Sequence, residues 1–213
     1  MDYKQVATAI YDGITSMPLD LVYGAKRTYL GSGALGSEYK LRNEEENERL
    51  FRSIKMGIDN RKPIYRAIQI ILDDFFNSLP DEVKHKVYTR ILGSGFHMAG
   101  RTATQILVVR QLSQYLVSQI VDRALYQRLF KFGIWSSINT ALIMGVIERA
   151  ALASRQLLAQ HPDTYYKLRR ENLDMIYFLI EPAMENYLAF IKAYRNKELT
   201  YARINSELNK IFS

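Results

Sequence analysis

The tract from residue 91 to 158 constrains this chain more than any other stretch. It is too apolar for an ordinary surface helix, yet arginines interrupt it. From Phe132 to Ile147 no side chain carries a formal charge. That run is shorter than the roughly 20 apolar residues a bilayer-spanning helix needs. Small residues recur at intervals of four: Gly95, Ala99 and Ala103 in one part, Ser137, Ala141 and Gly145 in the other. That interval places each trio on one helix face, where small side chains let a second helix approach closely. Gly133 is the natural turn between two long helices, so the tract reads as an apolar, glycine-punctuated helical hairpin.

The rest of the chain also reads as helices. Val6, Ala9, Ile10 and Ile14 suggest a short amphipathic helix over residues 2–15. Pro18 can open a second, over 19–30. Gly31-Ser32-Gly33-Ala34-Leu35-Gly36 has the form GxGxxG, but neither a leading strand nor a βαβ unit frames it, so a linker is expected. Acid early and base late predict a helix over 37–56, with Glu44, Glu45, Glu46 and Glu48 on a solvated face. Ile64, Ala67, Ile68, Ile71, Leu72, Phe75 and Phe76 form a broad apolar stripe behind Pro63. Leu79-Pro80-Asp81-Glu82 reads as a stop and a restart, giving a helix over 81–92.

A long helix is expected next, over 96–130, with Ile106, Val109, Leu116 and Ile120 as its stripe. Another covers 134–160 and ends at His161-Pro162. One further helix should run from about 163 to 194, kinked at Pro182, with Leu173, Ile176, Tyr177, Ile180, Met184, Tyr187, Leu188 and Ile191 on its inner face. Thr200 can cap a last one through Leu208 and Ile211. The expected fold is an all-α multi-helix bundle around the 91–158 hairpin. An N-terminal helical or docking segment over 1–60 would join a bundle over 61–213.

Charge follows that division. The whole chain has 29 Lys+Arg and 22 Asp+Glu, a net charge of +7. Residues 1–60 hold eight basic and nine acidic residues, so the excess positive charge accompanies the apolar part. A basic surface attracts polyanions and anionic lipid alike. Tyr165, Tyr166, Lys167, Arg169 and Arg170 could serve bases, but the other basic residues are scattered and no nucleic-acid-binding motif is present. Nucleic acid is therefore not the expected partner. The absence of cysteine excludes disulfides and thiolate chemistry. Met1-Asp2-Tyr3-Lys4 opens a mixed polar segment and not a leader. The expectation is a chain made in the cytoplasm that, if secreted, leaves without a cleaved signal.

Catalytic signatures are missing. His85, His97 and His161 match no metal-ligand spacing. Gly93-Ser94-Gly95 is not a GxSxG elbow. Asp73 and Asp74 point about 100° apart on a helix and suit a solvated edge better than a shared substrate. No enzyme activity, cofactor or metal is expected.

In size and layout, over roughly 60–195, the chain resembles the small all-helical pore-forming toxins of bacteria. It is similar to colicin-type pore domains in its glycine-punctuated apolar hairpin within a basic bundle. It is also similar to the small inner-membrane-targeting effectors of type VI secretion systems. It departs from the colicin pattern because Arg101 and Arg110 interrupt the first apolar segment. The resemblance implies an antibacterial effector that inserts into a target cell's inner membrane and conducts ions, a homo-oligomer in the membrane, and a cognate immunity protein. On that reading the two small-residue trios make helix contacts. Arg101 and Arg110 face water or headgroups, and Tyr115, Phe132 and Trp135 sit at the interface, where aromatic rings are favoured. The alternative is an all-helical interaction protein, such as an adaptor, chaperone or immunity protein, with the small residues as plain helix packing.

Overall fold

The computed structural model describes residues 19–33, 35–57, 61–93, 100–121 and 140–212. Among these every regular element is helical. Residues 19–31 form α1. There follow α2 (Ser37–Gly57), α3 (Lys62–Ser78), α4 (Asp81–Leu92), α5 (Arg101–Val121) and α6 (Thr140–Gln160). Then come α7 (Pro162–Arg170), a 3-10 turn (Asp174–Ile176), α8 (Tyr177–Arg195) and α9 (Tyr201–Phe212). The fold is an all-α multi-helix bundle. Of the expected 96–130 and 134–160 helices, only the α5 and α6 portions lie among the described residues, as does none of the expected 2–15 helix.

The centre is α3. Its expected stripe is buried in full, with Ile68, Ile71, Leu72, Phe75 and Phe76 without solvent exposure. The Phe75 ring meets Phe76, Tyr187 and Phe190 edge-on at centroid distances of 5.2, 5.1 and 5.1 Å. Edge-to-face pairs of this kind add about 0.5–1.5 kcal/mol beyond area burial. Packed against α3 are α5 and α8, and all eight inner-face residues expected between Leu173 and Ile191 are buried.

Three local expectations are corrected. The helix foreseen over 163–194 is two helices, because Asn172 takes a left-handed backbone (φ 56°). Leu173 N–H then donates to Leu168 C=O (2.8 Å) and Asn172 N–H to Arg169 C=O (3.1 Å). This is a Schellman stop with Asn in place of the usual Gly, and buried Leu168 and Leu173 supply its apolar contact. The chain continues helically through Pro182. In α5 the expected Val109 and Ile120 are buried and Leu116 packs partly buried on the core, but Ile106 is 62% exposed, and Thr104, Val108, Ser113 and Val117 are buried beside them. Two small polar residues, Thr104 and Ser113, hold buried positions that the expected stripe did not include. Asp74 is buried and not a solvated edge. It accepts from Lys167 Nζ and lies 4.0 Å from Arg195. Asp73, beside it, is pushed above the ordinary carboxylate range by burial, with Arg66 opposing and Asp74 assisting.

The described residues between α1 and α2 form a helix-to-helix turn. Gly33 (φ 80°) and Gly36 (φ 126°) take conformations closed to other residues at low cost, and Gly36 N–H donates to Gly33 C=O. It folds α1 back beside α2 as a hairpin that packs on the bundle.

The left-handed cap generates a prediction. Asn172→Val should lower stability by about 1–2 kcal/mol, and Asn172→Gly should be neutral or better. Urea unfolding midpoints measure both. Equal midpoints for Val and Asn would show that the break between α7 and α8 has another origin.

Candidate functional site

The uncharged run reaches its end in α6, and there the hairpin α1–α2 lies against it. Gly145 is buried. A Cβ placed on it would fall 1.9 Å from the Asp20 carbonyl oxygen of α1 and 2.7 Å from the Asp20 Cα. Backbone atoms of α1 thus occupy the space that any larger residue would need. Four residues on, Arg149 donates to the Asp20 carboxylate at 3.2 Å.

One turn past Gly145, four charged side chains close a ring. Arg27 of α1 is 1% exposed. Its Nη1 donates to Glu46 Oε2 (3.1 Å) and to Glu148 Oε2 (2.8 Å). Arg155 donates to the other oxygens, Glu46 Oε1 (2.6 Å) and Glu148 Oε1 (3.0 Å). Each carboxylate bridges two arginines and each arginine two carboxylates, so the ring is neutral. The remaining Arg27 donors are also used. Nε and Nη2 donate to Asn47 Oδ1 (3.2 and 2.8 Å), and Nη2 donates to Asn43 C=O (3.0 Å). Helical spacing makes this possible. Asn43, Glu46 and Asn47 share one face of α2, and Glu148 and Arg155, seven apart, share one face of α6. A buried charge is tolerable only when paired and hydrogen-bonded, a condition the ring meets.

A second ionic contact lies nearby. Asp174 has no solvent exposure; its Oδ2 accepts from Ser154 Oγ (2.8 Å) and lies 3.3 Å from Arg49 Nε of α2. Ser53 Oγ of α2 donates to the Asn172 carbonyl. Glu44, Glu45 and Glu48 do lie on the exposed face expected of them, but Glu46 belongs to the ring.

The other sequence-derived site residues are dispersed. Gly95, Ala99, Phe132, Trp135 and Ser137 lie outside the described residues. Arg101 opens α5 and Ala141 lies in the first turn of α6. Ala103 is exposed, so the helix contact expected of it is not made among the described residues. Its neighbour Thr104 faces inward instead, donating to the Gly100 carbonyl at 2.9 Å. Arg110 is exposed, and Tyr115 is 62% exposed. Ile106, Leu107, Arg110 and Tyr115 are thus each exposed on α5, with Ile106 and Tyr115, nine residues apart, projecting about 180° from one another. Burial, then the nearby Tyr115, pushes the Tyr187 hydroxyl up to about 12.

Between α4 and α5 lies a groove of about 500 Å³, lined among others by Asn77, Asp81, Lys84, His85, Tyr88 and Thr102. Within it Tyr88 donates to Gln105 (3.5 Å) and Gln105 to Asn77 (3.0 Å). Burial raises the Tyr88 hydroxyl above its ordinary value. His161, at the α6–α7 junction, is held below the ordinary histidine value by burial and by Lys192 and Arg195. Among the described residues no three histidine or carboxylate side chains converge as a metal site. No family model, curated protein or solved structure matches this chain.

Arg27→Met leaves two buried carboxylates against one arginine. It should weaken attachment of α1 and α2 by about 3–5 kcal/mol. Arg52→Met, removing an exposed pair with Glu48, should cost no more than about 1 kcal/mol. Native-state amide exchange across α1 reads both, and equal effects would contradict the ring's importance.

Proposed function

We propose that this chain is a membrane-active antibacterial effector. Its folded bundle stores apolar helices in water and inserts them into a bacterial inner membrane as an ion-conducting pore. One observation carries the reading. Helix α5 has 21 residues with only Arg101 and Arg110 charged, and it turns Ile106, Leu107 and Tyr115 toward solvent. At 1.5 Å per residue it is about 30 Å long, comparable to a bilayer's hydrocarbon core. The uncharged run ending at Ile147 supplies a second apolar segment. No helix among the described residues is long and apolar enough to cross a membrane. Insertion therefore proceeds by several helices together, copies of the chain included, with Arg101 and Arg110 facing water or headgroups. Phe132, Trp135 and Tyr115 then lie at the interface. Such an effector requires an immunity protein in the cell that makes it.

A second reading has its own support. Gly145 is filled by the backbone of Asp20, so at that position the small residue serves packing inside the folded chain. An all-helical adaptor, chaperone or immunity protein would use it in the same way.

Vesicles of phosphatidylethanolamine and phosphatidylglycerol under a potassium gradient separate the two. The effector reading expects the purified chain to collapse the gradient, and Ile106→Glu with Tyr115→Glu to slow that collapse at least tenfold while leaving the helical circular dichroism intact. An undisturbed gradient, with no chain bound to the vesicles, favours the interaction protein.

A further inference from the structure

The hairpin α1–α2 is fastened to the bundle in an unusual way. Among described residues of 19–53, Leu50 alone joins the buried hydrophobic core, whereas Asp20, Arg27, Asn43, Glu46 and Ser53 are buried polar groups. Its fastenings are the Arg27–Glu46–Arg155–Glu148 ring, Asp20 to Arg149, Arg49 to Asp174 and Ser53 to Asn172. Apart from Leu50, the Phe75-centred core is built without it. Apolar burial is lost roughly in proportion to the area exposed. A buried ion ring is lost as a unit, because loss of one member strands the others as uncompensated charge. The hairpin is thus held by a cooperative clip, and it sits where the uncharged run ends, on Gly145 and Glu148.

We infer that α1–α2 is an autoinhibitory latch, and that opening the ion ring frees the apolar start of α6 for the membrane. The membrane step rests on the effector reading above. Arg155 is the point of entry: its side chain is 31% exposed, while Arg27, Glu46 and Glu148 are at most 3% exposed. An anionic headgroup phosphate that draws Arg155 away leaves Glu46 and Glu148 facing Arg27 alone. The hairpin then separates as a unit while α3 and α8 stay packed, a local opening and not global unfolding.

The chain has no cysteine, so introduced thiols are unique. Asp20→Cys with Arg149→Cys in the full chain, joined by a bismaleimide with a cleavable disulfide spacer, ties α1 to α6. The cross-linked protein should leave a potassium gradient across phosphatidylglycerol-containing vesicles intact, and reductant should restore leakage to the level of the unlinked variant. Leakage by the linked form at the unlinked rate overturns the latch. If the unlinked wild-type chain does not leak at all, the effector reading fails, and amide exchange decides the latch separately. Glu148→Gln should then speed exchange at least tenfold in α1, α2 and the first turns of α6, with α3 and α8 unchanged. A uniform rise, or none, overturns it.

Discussion

Three buried charges and a partly exposed fourth, joined between three helices, govern how this molecule is assembled. Taking a guanidinium and two carboxylates out of water costs several kcal/mol per ion before any attraction is counted. The cost is offset here because Arg27 spends all its donors and each oxygen of Glu46 and Glu148 receives one. Such geometry is exacting. It fixes the register of α1 against α2 and of both against α6, which apolar contact alone would leave freer to slide. The Gly145 contact follows from the same register, since α1 can approach that closely only where α6 presents no side chain.

Two kinds of cohesion therefore coexist. Around Phe75 the chain is held by close-packed apolar and aromatic groups from α3, α5 and α8, which respond little to competing charge. The hairpin is held by ionic and polar contacts, which respond to competing charge. A membrane-active protein needs such a division, because part of it must let go while the rest keeps its shape. An interaction protein could use the same division to rearrange on meeting a charged partner. On the proposed reading, the exposed apolar residues of α5 and the position of the ring beside the apolar run are what join the division to membranes.

Much of the framework was legible from periodicity. The stripe of α3 and the inner face from Leu173 to Ile191 fall where helical spacing of large apolar residues put them, since no rival period exists there. In α5 Val109, Leu116 and Ile120 face the core as expected but Ile106 does not, and Thr104 and Ser113 occupy buried positions that a hydrophobicity pattern assigns to the surface. The stop at Asn172 was masked by an inner-face pattern that continues straight across it, and only the tolerance of Asn for left-handed backbone marks the place. The ring was the deepest omission. Glu46 sits in a run of acids that looks like a solvated face, and its partners lie 19 and 109 residues away. Ionic complementarity over such separations leaves no periodic trace. Gly145 was singled out for its size, but which helix it meets depends on the fold.

The double-mutant cycle between Arg27 and Glu148 tests the central claim most directly. Attachment of α1 is measured by native-state amide exchange in the wild type, Arg27→Met, Glu148→Met and the pair. A closed ring makes the pair cost less than the sum of the single changes, with a coupling on the order of 1–3 kcal/mol. Additive costs, agreeing within about 0.5 kcal/mol, would mean that the two side chains do not share a buried network and that the hairpin is held by something else.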